Sequence, residues 1–154
     1  MASFSIAVAL TLQHEGGYVD NAVDPGGATN MGITQADMPG QDMKTLTVAQ
    51  ATYYYLQNYW KPFYSQISNQ AIASKLFDLG VLFGVATAVK GLQQVLSLVV
   101  DGVFGPMTLA AVNAASGSVL GDYKNVMNQH AAGIAAANPR ESIFLAGWLR
   151  RINS

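Results

Sequence analysis

The sequence predicts a single, mainly α-helical domain built around one short glycine-rich segment. Apolar residues recur at helical spacing along most of the 154 residues, and a hydrophobic fraction of 51% is enough for a filled core. The length suits one domain, and no linker or change in composition divides the chain. Glycine and proline are most concentrated between residues 16 and 34, which predicts turns there and short strands over 29–34.

The first predicted helix contains Phe4, Val8 and Leu12 at four-residue spacing. Glu15 follows three residues after Leu12, so we expect it in the last turn, near the buried face. Gly16 and Gly17 come next and end the helix, because glycine accepts the left-handed conformation of a helix C-terminus.

Six further helices are predicted after the glycine-rich segment, with boundaries at Pro62, Pro106 and Pro139. Their predicted ranges are 47–60, 68–82, 86–98, 107–115, 119–137 and 140–152. A turn is expected over 101–106. We expect the last helix to dock its apolar side on the core and to leave its arginines in solvent, although a membrane-active tail has a similar pattern.

Composition excludes several classes of protein. The chain has no cysteine, so it has neither disulfides nor thiolate metal sites, and its two histidines are too few for a zinc site. A net charge of -1 disfavours a general nucleic-acid binder. No apolar stretch is long enough for a stable membrane span, and the N-terminus lacks the basic start of a signal peptide.

The candidate catalytic residues lie in and beside the glycine-rich segment. Only 11% of the residues are charged, yet Glu15, Asp20 and Asp24 fall within ten residues. A partly buried glutamate at a helix C-terminus meets the negative end of the helix dipole, which favours its protonated form. Such a group can donate a proton to a leaving oxygen, as in glycosidases, which commonly use a second carboxylate. Asp24 is the candidate for the second role, and Thr29 and Asn30 could hold a water or a sugar hydroxyl.

Other interpretations of the same residues stay open. Glu15 could be a plain polar residue at a helix end, and an acidic glycine-rich loop could bind calcium, although the spacing does not fit an EF-hand. Tyrosine, tryptophan and phenylalanine also cluster over 53–64. At helical spacing such residues are more often core than ligand platform, but Tyr59 and Trp60 are candidates to stack on sugar rings.

Several motifs resemble the glycoside hydrolase 108 muramidases, which are phage endolysins and related bacterial secretion muramidases. The likeness lies in Glu15-Gly16-Gly17-Tyr18, in the run 24–30, and in Gly32-Ile33-Thr34. It continues through Tyr59-Trp60, Phe77-Asp78 and Gly84, and over 85–154 the chain resembles a helical peptidoglycan-binding subdomain. Leu82 stands where the family has an asparagine.

The resemblance implies a lysozyme-like fold, α+β in type, and cleavage of the β-1,4 bond between N-acetylmuramic acid and N-acetylglucosamine in peptidoglycan. Glu15 matches the family's catalytic acid. The wider lysozyme-like group often has a Glu, then an Asp, then a Thr across this loop. Asp24 and Thr29 are the nearest occupants of the last two positions, although their spacing is one residue shorter than in common phage lysozymes, and Asp20 is a competitor for the second carboxylate. Further substrate-binding positions are Asn30, Tyr18, Tyr59, Trp60 and Asp78.

No metal or organic cofactor is implied. We expect a monomer that waits in the host cytoplasm and depends on a holin-type partner for release. Two other functions remain open: a lytic transglycosylase, in which one glutamate serves as acid and base, and a non-catalytic wall-binding lysis accessory.

Overall fold

The computed structural model describes residues 1–20 and 27–154, and within these ranges it consists of seven helices and one two-stranded antiparallel hairpin. The helices are α1 (Phe4–His14), α2 (Val48–Asn58), α3 (Gln70–Phe83), α4 (Val85–Val95), α5 (Pro106–Ala114), α6 (Val119–Ala137) and α7 (Leu145–Asn153). The strands are β1 (Thr29–Asn30) and β2 (Ile33–Thr34), and short 3₁₀ turns cover Met43–Thr45, Tyr64–Gln66 and Glu141–Phe144. The predicted mainly helical class and the predicted short strands are confirmed.

Local sequence explains most of the helix boundaries. Thr47 and Gln50 form a capping box that begins α2. Pro106 is the first residue of α5, where its missing N–H has no intrahelical partner to lose. The last helix differs from its predicted range of 140–152, because Glu141–Phe144 forms a 3₁₀ turn and α7 begins only at Leu145.

Helix α3 forms the centre of the core. Its residues from Ile72 to Gly80 are all buried, and it lies between α1 and α4. On the α1 side, Phe4 meets Phe77 and Trp60 with ring centroids 5.7 and 5.5 Å apart. These edge-on aromatic contacts set the position of α1, and therefore of the residue that follows it.

The predicted turn over 101–106 is anchored to α4 by the buried side chain of Gln93. Its Nε2 donates to Asp101 Oδ1 at 2.7 Å, and its Oε1 accepts from the backbone N–H of Gly102 at 2.9 Å. This arrangement supports the structural interpretation of that turn. From there the chain returns through α6 and α7, and the fully buried Ile152 holds α7 against the core.

Across 1–20 and 27–154, none of the helices has both the length and the apolar character needed to cross a bilayer.

Candidate active site

Glu15 lies immediately after α1, in extended backbone conformation (φ -83°, ψ 142°). The sequence places it in the last turn of the helix, whereas in the structure it is the residue that ends the helix. Its side chain is 13% exposed, and Oε1 lies 2.7 Å from Nη2 of Arg151. The carboxyl group is mostly enclosed but keeps a solvent-facing edge.

The β hairpin closes over Glu15. Its two-residue turn, Met31–Gly32, has positive φ at both positions (48° and 74°), which is the type I′ geometry that suits tight hairpins. The backbone N–H of Met31 donates to the carbonyl of Gly16 at 3.0 Å, and Val19 pairs with Thr29 through two backbone hydrogen bonds. The hairpin is thereby tied to the segment that follows Glu15.

Gly32 lies directly against the Glu15 carboxylate. A Cβ atom at this position would overlap Oε2 of Glu15 and lie 2.7 Å from Oη of Tyr55. The Tyr55 hydroxyl donates to the carbonyl of Met31 at 2.8 Å and supports the turn from the core side. Burial, and secondarily the negative charge of Glu15, raise the pKa of Tyr55, so the tyrosine remains a neutral donor.

Arg151 connects Glu15 to a second, deeper carboxylate on α3. Nη2 of Arg151 lies 2.9 Å from Oδ1 of Asp78, and its Nε donates to the same oxygen at 3.1 Å. Thr11 also donates to Oδ1 at 3.0 Å, and Nζ of Lys75 lies 3.7 Å from Oδ2. Although burial lowers it, the charges of Asp78 and Glu15 raise the pKa of Arg151 above its ordinary value.

Asp78 is predicted from the sequence to bind sugar, but the structure buries it to 3% exposure. Its contacts assign it to positioning Arg151 instead. Burial lowers the pKa of the neighbouring Lys75, an effect that the charge of Asp78 partly offsets.

The prediction that the arginines of the last helix lie in solvent is wrong for Arg151. Its side chain is only 11% exposed and lies between the two carboxylates. One signal in the sequence could have indicated it: Asp78 stands among apolar residues of a buried helix, where a carboxylate needs a buried cation. The sequence does not show which of the eight Lys and Arg residues supplies that charge.

The remaining residues of the loop differ in exposure. Asn30 is buried, and its Nδ2 donates to the carbonyl of Met43 at 2.7 Å, which fastens the hairpin. Thr29 is half-buried in β1. Tyr18 is exposed and donates to Asp20 at 3.2 Å. Asp24 lies outside the described residues.

The aromatic candidates separate into core and edge. Trp60 is buried against Phe4, Tyr64 and Phe77 and has no exposed face for a sugar, so the core interpretation applies to it. Tyr59 is half-buried, with its ring centroid 5.7 Å from that of Tyr55. Tyr55 in turn lies beside Gly32 and Glu15, so Tyr59 is the one of these two candidates that remains near the Glu15 region.

Comparison with known proteins decides the family. The family model described as Glycosyl hydrolase 108 matches residues 8–84, which include Glu15, Gly32 and Asp78. The chain belongs to glycosyl hydrolase family 108. A second model, described as a Predicted Peptidoglycan domain, matches residues 87–153 of this family 108 protein. The two matches together identify a glycoside hydrolase that acts on peptidoglycan of the bacterial cell wall.

A solved structure supports the fold assignment. The family 108 chain is similar to the "Structure of Brucella abortus SagA", with a TM-score of 0.80 and 33% sequence identity, over 97% of this chain and 89% of that chain. The predicted lysozyme-like fold is confirmed. No curated protein matches the chain.

Proposed function

We propose that this peptidoglycan hydrolase cleaves the β-1,4 bond between N-acetylmuramic acid and N-acetylglucosamine, with Glu15 as the general acid. The observation that carries the proposal is the position of Glu15. It is a mostly enclosed carboxyl group, held on one side by Arg151 and covered on the other by Gly32 of the hairpin. Fixing the acid in this way is what proton transfer to a bridging oxygen requires.

The ion pair with Arg151 fixes the position of the carboxyl group. Nη2 of Arg151 lies 2.7 Å from Oε1 of Glu15, a cationic partner that the sequence does not indicate.

Asp78 fixes Arg151 from the other side. Arg151 contacts Asp78 through both Nε and Nη2 but contacts Glu15 through Nη2 alone. Glu15 is the more exposed of the two carboxylates, with 13% of its side chain exposed against 5% for Asp78.

For the second catalytic role we propose Asp24, assisted by Thr29, which lies on the hairpin that covers Glu15. Asp24 would position a water molecule or stabilise the positive charge that develops on the sugar. Asp20, which is exposed, is the competing candidate. We expect Asp24→Asn to lower turnover by less than Glu15→Gln does, and equal damage would contradict this division of roles.

The biological setting is a wider part of the proposal. The resemblance of the motif over residues 15–18 to phage endolysins supports an enzyme that waits as a monomer in the host cytoplasm. A holin-type protein would then give it access to the wall.

The chain provides a matched control for the catalytic test, because it contains only two glutamates, Glu15 and Glu141. We expect Glu15→Gln to lower the clearing of purified cell walls by about 10²- to 10⁴-fold, the usual contribution of a general acid. Glu141→Gln makes the same chemical change away from the site and should clear walls like the wild type. Glu141→Gln should retain the melting temperature, and Glu15→Gln should remain folded. Equal clearing rates for the two would remove Glu15 from the mechanism.

Product analysis tests the bond that is cut. Borohydride reduction of the digest should convert muramic acid ends to muramitol, since hydrolysis at the proposed bond frees that end. Glucosaminitol would place the cut at the other glycosidic bond, and anhydro-muramic ends would indicate a lytic transglycosylase.

A further inference from the structure

Two lysine side chains hold the last turn of α7, the helix that carries Arg151. Nζ of Lys75, on α3, donates to the carbonyl of Arg151 at 2.8 Å. Nζ of Lys124, on α6, donates to the carbonyls of Asn153 and Ser154 at 3.1 and 2.9 Å. We call Lys75 and Lys124 the lysine pair. Ammonium groups stabilise this end of a helix, because the last carbonyls have no intrahelical partner and form the negative end of the helix dipole.

The side chain of Ser154 connects this turn to the end of α1. Its hydroxyl donates to the carbonyl of Arg151 at 2.8 Å and accepts from Nζ of Lys75 at 3.2 Å. The same oxygen lies 3.3 Å from Nε2 of His14, the last residue of α1. Glu15 is the next residue along the chain. Hydrogen bonds therefore join the two helix ends that hold Arg151 and Glu15, in addition to the ion pair between these residues.

The ion pair with Asp78 does not account for the position of Lys75. Nζ of Lys75 lies 3.7 Å from Oδ2 of Asp78, outside hydrogen-bond distance, and this oxygen has no hydrogen-bond partner among the described residues. The hydrogen bonds of Lys75 go to Arg151 and Ser154 instead. Because Lys75 is only 8% exposed, its amine depends on these partners in place of water. The burial of Lys75 is thereby tied to the position of the last turn of α7.

A pocket of about 230 Å³ lies beside the lysine pair, between α1, α3 and α6. Leu10, Ala71 and Leu120 give it an apolar wall, and both lysines line it. A small molecule in this pocket would reach the position of the Lys75 amine if that side chain were shortened.

We propose that Lys75 is a positioning residue for the hydrolysis, because it holds the main chain at Arg151 and through Arg151 fixes Glu15. The carbonyl that accepts from Lys75 and the guanidinium group belong to the same residue. A shift of the main chain there moves the group that lies 2.7 Å from Oε1 of Glu15. Lys124 supports the same turn from α6. This inference rests on the proposed function, because it takes Glu15 as the general acid.

The kinetic test uses Lys75→Ala, with Lys61→Ala as the matched control. Lys61 also caps a helix, since its Nζ donates to the carbonyl of Asn58, the last residue of α2. Both variants should melt at a lower temperature. Only Lys75→Ala should lower kcat on soluble glycan fragments, by about tenfold, a part of the roughly 10²-fold effect of a 1 Å misplacement at a catalytic group. KM should stay unchanged, since Lys75 acts through Arg151 and not on the substrate. Equal kcat for the two variants would overturn the proposal.

Chemical rescue separates the ammonium group of Lys75 from the packing of its side chain. The atoms that Lys75→Ala removes correspond to a propylammonium ion, and the neighbouring pocket leads to their place. Propylammonium should raise kcat of Lys75→Ala and leave kcat of Lys61→Ala unchanged. Propan-1-ol has the same chain without the charge and should not raise kcat of either variant. Restoration by both molecules, or by neither, would show that the ammonium group does not position Arg151.

A measurement without substrate separates this proposal from the role of Glu15. Nε of Arg151 donates to Asp78 at 3.1 Å, and NMR can follow the exchange of its proton with water. The exchange should be faster in Lys75→Ala than in the wild type, and unchanged in Lys61→Ala. Faster exchange together with full activity of Glu15→Gln would support the hold on Arg151 and refute only the general acid. Unchanged exchange would refute the role of Lys75, whatever Glu15 does.

Discussion

A single methyl group at Gly32 should disable the enzyme while leaving it folded. The Cβ of Gly32→Ala would overlap Oε2 of Glu15, and the carboxylate would have to move by roughly 1 Å to regain ordinary contact distance. A displacement of that size at a catalytic group costs on the order of 10²-fold in rate. The measurement is the clearing of purified cell walls by equal amounts of folded protein.

Gly32→Ala also strains the backbone, and this strain lowers stability apart from the clash with Glu15. A second glycine with positive φ provides a control for it. Gly32 has φ +74°, and alanine in this region costs about 1–2 kcal/mol, which corresponds to roughly 2–8 °C in melting temperature for a domain of this size. Gly40 has φ +87° and nothing within 4 Å of its hypothetical Cβ. Gly40→Ala should therefore show a similar loss of melting temperature with little loss of activity.

The comparison of the two alanine variants isolates the steric effect on Glu15. If Gly32→Ala clears walls at the same rate as Gly40→Ala, the hairpin does not position the carboxylate. The close approach of Gly32 would then have no part in the catalytic role of Glu15.

Two other substitutions test charges. Asp78→Asn removes the carboxylate that positions Arg151 from α3, so Glu15 loses its fixed position and we expect wall clearing by the folded protein to fall by up to about 10²-fold. The melting temperature should also drop by about 6 °C or more, since breaking a buried ion pair costs about 3–5 kcal/mol; unchanged clearing would contradict the shared role of Arg151. The backbone N–H of Val103, and secondarily Gln93, lower the pKa of Asp101 below its ordinary value of 3.8. Its charge therefore stabilises the fold above about pH 4 and loses this effect as pH falls through the lowered value, so the melting-temperature gap between wild type and Asp101→Asn should narrow near pH 3.

The sequence predicts the local features of this fold well, because they depend on local interactions. Helix α6 has the predicted limits, and the turn at 101–106 occurs where glycine and proline predict it. Glu15 lies within one residue of its predicted place. Helical periodicity, capping and turn chemistry act over a few residues, and a single sequence displays them directly.

The features that the sequence does not reveal depend on distant partners. Arg151 reaches Glu15 across more than a hundred residues of chain, and nothing near either residue shows the pairing. Gly32 has an evident turn role, but its contact with Glu15 follows only from how the hairpin folds back. Trp60 and Tyr59 are adjacent in the same aromatic cluster, and only the path of the chain after α2 decides which ring is buried.

The position of Arg151 bears on how the two matched regions are related. Glu15 and Asp78 belong to the region that matches the hydrolase family, whereas Arg151 belongs to the region that matches a peptidoglycan domain. Without Arg151, Asp78 would keep only Lys75, at 3.7 Å, as a cationic partner, and removing one partner of a buried ion pair costs about 3–5 kcal/mol. The C-terminal region is therefore needed to complete the proposed catalytic site, apart from any contact that it makes with the wall. We propose on this ground that residues 1–154 work as one unit, in which the region over 85–154 does not serve as a detachable binding module.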